Sequence, residues 1–88
     1  MITEANIDQL VSWLESTYNI ETKYYRGKKY YKISRMFGVT ESAYAFIDFE
    51  GNIYQAATWN RPAKHIRGHI DRPWECCDRY SVKYLRGH

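Results

Sequence analysis

At 88 residues, the chain has room for one domain and a small core, and 17% of it is aromatic, nine residues being Tyr. Rings must therefore carry much of the burial. The formal net charge is a modest +3, and no apolar run approaches the roughly 20 residues of a membrane span, which excludes a membrane-crossing helix.

The charge is unevenly spread. Residues 1–20 hold three acids and no Lys or Arg, whereas residues 21–37 hold six bases against Glu21. Residues 38–58 are again acidic, and residues 59–88 hold seven bases against three acids. One surface can thus be strongly basic while the whole is not, which suits an anionic partner. The acidic start lacks the layout of a signal peptide. The neighbouring Cys76 and Cys77 are poorly suited to pair with each other, so reduced thiols in a cytosol are expected.

In chain order, Thr3 precedes Ile7, Leu10, Val11, Leu14 and Tyr18 at helical spacing, predicting a helix from about Thr3 to Thr17 that ends at Tyr18-Asn19. Trp13 lies off that stripe, either anchoring a sheet edge or exposed. The period then changes to two. Thr22–Tyr25 and Lys29–Met36 flank a turn at Arg26-Gly27-Lys28, Gly38–Ser42 reads as a second turn, and Ser42–Phe49 forms a third strand. Gly51-Asn52 turns the chain into a fourth strand, Ile53–Trp59. Asn60 as a cap, Pro62 in the first turn and Gly68 as a stop predict a short helix over Arg61–Arg67. Beyond Pro73, Asp78 caps a last helix through Leu85, or that segment is a strand, since Tyr80, Val82 and Tyr84 alternate. The expectation is one α+β domain over residues 1–88. Its N-terminal helix packs on a four-stranded antiparallel meander, with short C-terminal helical segments.

The segment GNIYQAATWNRPAKHIRG, residues 51–68, resembles a family of small, largely uncharacterised tailed-bacteriophage proteins. The matching positions are Gly51, Tyr54, Ala56-Ala57, Trp59, Pro62-Ala63-Lys64 and Arg67-Gly68. Ala45-Phe46-Ile47-Asp48, Tyr31-Lys32-Ile33 and Tyr84-Leu85-Arg86 add to the likeness. Thr58 and Asn60 depart from it, because the family often has Lys or Ser before the Trp and Lys after it. The resemblance implies a phage accessory protein acting in the host bacterial cytoplasm, and no activity.

Two constellations could bind. Tyr30, Lys32 and Ser34, with Tyr44 and Phe46 and with Tyr54, could share the sheet face opposite the helix, whose own side would hold Tyr31, Ile33, Ala45, Ile47 and Ile53. Rings beside Lys are how sheet modules stack unpaired bases. The competing structural reading has the C-terminal segment cover that face through Trp59, Trp74 and Tyr80. The second constellation is the basic run Arg61, Lys64, His65, Arg67, His69 and Arg72, suited to phosphates or simply solvated. His65 and His69 with the vicinal cysteines make a poor metal site, and no cofactor is expected. Asp48 and Glu50 flank a turn, and no nucleotide-binding or hydrolase motif occurs, so no enzyme is expected.

The reading from sequence is a non-enzymatic binding protein contacting nucleic acid, or a host machine that handles it, through Lys28, Lys29, Lys32, Arg61, Lys64, Arg67 and Arg72. Tyr30, Tyr44, Tyr54, Trp59 and His65 would supply contact area. An inhibitor of a host enzyme or defence system, and a homodimeric module, remain the alternatives.

Overall fold

Helix α1 (Glu4–Tyr18) begins at Thr3, whose backbone N–H donates to Asn6 Oδ1 at 2.9 Å. It ends at Asn19, left-handed at φ 56°, whose N–H reaches Glu15 O. These are the boundaries the spacing and the polar termini predict. The computed structural model describes residues 1–79, 81 and 82.

After α1, five strands form one antiparallel sheet in chain order: β1 (Thr22–Arg26), β2 (Tyr30–Phe37), β3 (Thr40–Asp48), β4 (Asn52–Thr58) and β5 (Arg61–His69). The domain is α+β, but with a fifth strand where the sequence reading places a helix. Residues 61–69 pair with β4, Thr58 facing Arg61 across the two-residue turn Trp59-Asn60. Short reversal returns the chain directly onto β4, and the ladder then outweighs the cap-like Asn60 and the helix-compatible Pro62. Pro62 is tolerated because β5 is the sheet edge, where a missing N–H need not break a ladder. The turn after β2 is also tighter than read, with Phe37 facing Thr40 around Gly38-Val39.

The core lies between α1 and one sheet face. Ile7 and Leu14 are fully buried with Ile33, Ile47 and Ile53, beside Leu10, Tyr31 and Ala45. Full burial of each such Ile or Leu contributes about 1.5–3 kcal/mol. Glu15 Oε2 accepts from Thr22 N–H and Oγ1–H at 3.2 and 3.3 Å, tying α1 to β1.

The C-terminal segment packs on this same side. A 3₁₀ turn (Pro73–Glu75) leads to buried Cys76 and Cys77, and Cys77 bridges to Val82 across a turn closed by Asp78 N–H on Ser81 O. Cys76, Cys77 and Val82 belong to the α1 core, and Tyr18 Oη donates to Cys77 O at 3.1 Å. Asp78 therefore sits in a turn and caps no helix at this point. Tyr80 and residues 83–88, which hold most of the expected terminal element, lie outside the described residues. Covering of the far sheet face through Trp74 is not what occurs, since Trp74 lines a cleft with Leu10 and Trp13 of α1.

Candidate functional site

The far sheet face is built by strand register. Tyr25 faces Lys32, Lys32 faces Phe46, Phe46 faces Tyr54, and Tyr54 faces Ile66, so one row of side chains crosses all five strands. Tyr30 packs edge-on against Phe46 and Tyr54, with ring centroids at 6.0 and 5.7 Å. The turn between β4 and β5 closes over this row. Trp59 lies edge-on to Tyr25 at 6.3 Å, and Lys32 Nζ sits 3.7 Å from the Trp59 centroid and 5.4 Å from that of Tyr25. A cation held between two rings is fixed in place while still carrying its charge.

Beside this clamp is a depression of about 350 Å³ lined by Tyr25, Lys28, Lys29, Tyr30, Lys32 and Phe46, and also by Arg26, Gly27 and Asn60. Among the described residues, no Asp or Glu lines it. The Arg26 guanidinium is turned away, its carbon 5.5 Å from the Phe49 ring and 5.8 Å from Tyr31, on the helix side. The loop itself is set by Gly27 N–H on Tyr30 O at 2.8 Å. Lys28 and Lys29 are thus displayed at the tip of a hydrogen-bonded hairpin.

Two carboxylates border the face, each already satisfied. Glu41 Oε2 accepts from Ser34 Oγ and Tyr25 Oη, both at 2.5 Å. The Ser34 bond, then the Tyr25 bond, holds its carboxyl below the usual range. Burial raises the Asp48 carboxyl, but hydrogen bonds from Asn52, Tyr54 and the Glu50 N–H outweigh it and leave the group below its ordinary value. Tyr54 is pushed up to about 12, first by burial and then by its bond to Asp48.

The structure gathers Lys28, Lys29, Lys32, Tyr30 and Trp59 at one place, with Tyr54 one ring further along. Tyr44 is not among them. A register shift between Ile33 and Ser34 makes Ser34 face Ala43 and Ile33 face Ala45, which leaves Tyr44 as an extra residue. Such a bulge re-aims its side chain, and Tyr44 is buried in the α1 core with its hydroxyl donating to Asp78 O. Ser34 is also buried.

The basic run is spread out rather than fanned from a helix end. Arg61, Lys64 and His65 are exposed along β5, and Arg67 is half-buried. Arg72 lies beyond the strand, 3.8 Å from Glu75. His69 is structural: its Nε2 meets Glu50 O at 2.9 Å, and its Nδ1 accepts from Asp71 N–H at 3.1 Å. Cys76 and Cys77 are free, buried, with sulfurs 3.8 Å apart, and among the described residues no group of three or more His, Cys, Asp or Glu gathers to hold a metal. Gly68 is not a helix stop. A Cβ there would lie 2.6 Å from Cys76 Sγ, so the position needs Gly for close packing.

Sequence reasoning overlooks Tyr25, Asn60 and Glu41. Tyr25 was legible, because counting back across the Gly27 turn places it opposite Lys32. Asn60 was hidden by its resemblance to a helix cap. Among the described residues, no helix is long and apolar enough to cross a membrane.

Residues 3–79 match a protein-family model. No curated protein and no solved structure matches the chain. The match spans most of the 88 residues and takes in all five strands and the whole depression. The chain belongs to DUF7717, a family of unknown function.

Proposed function

We propose that this is a small, non-enzymatic binding protein that contacts nucleic acid through the depression at the β1–β2 hairpin and the adjoining ring-bearing sheet face. One observation carries the reading: three lysines and three rings line one concavity with no acid among them. Lys28 and Lys29 supply phosphate contacts, and Tyr30, Tyr25 and Trp59 supply flat apolar area for bases. Glu41 and Asp48 flank the site, so phosphates run along the hairpin side. The likeness of residues 51–68 to phage proteins supports an accessory role in a host bacterium's cytoplasm. A host protein that handles nucleic acid would meet the same face. Pairing of two copies along β5 is opposed by Pro62, which has no N–H to offer, and by exposed Lys64 and His65 on that edge.

Fluorescence anisotropy of short labelled DNA and RNA, single-stranded and duplex, across a salt series tests this. Binding at low salt is expected. Lys28→Ala with Lys29→Ala should weaken it and flatten its logarithmic salt slope by about 1.4 on single strands, at about 0.7 per phosphate contact. Absence of binding to every probe at low salt, or an unchanged slope in the double variant, refutes the reading.

A further inference from the structure

The helix side carries a second surface of opposite character. A cleft of about 270 Å³ lies between α1 and the start of the C-terminal segment, with Leu10, Trp13, Ile70, Asp71 and Trp74 among its walls. It shares Trp13 with a shallower hollow along α1 that Asp8 borders. Trp74 is 59% exposed, although its surroundings are held: Pro73 before it is buried, and Cys76 and Cys77 after it are in the core. Its backbone is thus anchored while the indole projects.

Among the described residues, the charged side chains that line these two hollows are both carboxylates, Asp71 in the cleft and Asp8 in the hollow, and His69 Nδ1 lies 3.4 Å from Asp71 Oδ2. Among the described residues, no Lys or Arg lines either of them. Arg72, the nearest base in the chain, faces Glu75, and residues 1–20 contain three acids and no Lys or Arg. Carboxylates here repel phosphate, so nucleic acid is disfavoured on this side. Two indoles with Asp71 in the same cleft, and Asp8 in the adjoining hollow, instead match a guanidinium, which is attracted to an indole face and pairs with carboxylates through a planar fork. Exposed Trp in a pocket is also a frequent anchor of protein contacts.

We propose that the Trp13–Trp74 cleft docks an arginine-bearing segment of a partner protein. It lies across the core from the lysine-lined depression, so both surfaces can be occupied at once, and it stands whether or not nucleic acid binds the sheet face.

The test is a titration of ¹⁵N-labelled protein with an acetylated, amidated tetra-arginine peptide, with tetraglutamate as the control, following the indole N–H resonances. Saturable shifts of Trp13 and Trp74 with tetra-arginine, and none with tetraglutamate, are expected. Trp74→Ala, at an exposed position and checked for a dispersed spectrum, should weaken the Trp13 response by about fivefold or more. Asp71→Asn should weaken it in the same direction. Shifts that do not saturate, an equal response to tetraglutamate, or an unchanged affinity in Trp74→Ala would overturn the proposal.

Discussion

Gly51→Ala should be the most damaging single-methyl change at a turn. Gly51 sits at φ 93°, and a Cβ placed there would lie 2.8 Å from His69 Nε2, 2.9 Å from Cε1 and 3.0 Å from Ile70 Cγ2. The left-handed backbone costs an L-residue about 1–2 kcal/mol. The His69 ring must also move, and in moving it loses its 2.9 Å bond to Glu50 O, worth about 1 kcal/mol. Lower entropy of the unfolded chain returns about 0.4–1 kcal/mol. The net is a loss of about 2 kcal/mol. Gly38 is the internal control: its φ is also positive, at 63°, but nothing lies within 4 Å of a Cβ there. Gly38→Ala should therefore cost only the backbone part, about 1 kcal/mol or less. Urea unfolding followed by circular dichroism reads both, as midpoint shifts at constant slope. If Gly51→Ala is no worse than Gly38→Ala, the packing of His69 and Ile70 onto the β3–β4 turn is wrong.

Four further outcomes follow from the same geometry. Tyr44→Phe removes the hydroxyl that donates to Asp78 O and should cost about 1 kcal/mol, with hydrogen exchange accelerating around Cys77 and Asp78. Gly68→Ala should destabilise by about 1–3 kcal/mol through overpacking on Cys76, and Cys76→Ala in the same chain should recover part of the loss. Asp48 has a carboxyl held below its ordinary value, so its contribution is present above the unfolded value near 3.8 and disappears as pH falls through the folded one. Tyr54 is raised to about 12 from 10.0, so its contribution is present below the unfolded value and disappears as pH rises through the folded one. Denaturation midpoints against pH should show a shallower acid limb in Asp48→Asn and a shallower alkaline limb in Tyr54→Phe.

Much of the fold was legible because four strands obey a simple period. Tyr31, Ile33, Ala45, Ile47 and Ile53 alternate onto the helix side, as the pattern requires, and Thr3 and Asn19 mark the ends of α1. The fifth strand was hidden by local chemistry that fits two structures. Asn60, Pro62 and Gly68 serve as cap, first-turn residue and stop in a helix. They serve equally as turn, edge-strand residue and packing gap in a hairpin. Register irregularities between β4 and β5 also blur the alternation that would have betrayed a strand. At the site, Lys28, Lys29, Tyr30 and Lys32 were readable because they are neighbours on one hairpin. Tyr44 was misplaced because a bulge depends on the partner strand, which no single strand's pattern reveals. Arg72 was misplaced because its grouping with Arg61 and Lys64 assumed a helix that does not form.

The most direct measurement uses the three indoles as position markers during titration with a short single-stranded oligonucleotide. Trp59 lies over Lys32 beside the depression, whereas Trp13 and Trp74 line the cleft on the helix side. Nucleic-acid binding at the sheet face predicts a saturable shift of the Trp59 indole N–H, with Trp13 and Trp74 unmoved. Shifts confined to Trp13 and Trp74, or a Trp59 resonance that stays still while the oligonucleotide binds, would contradict it.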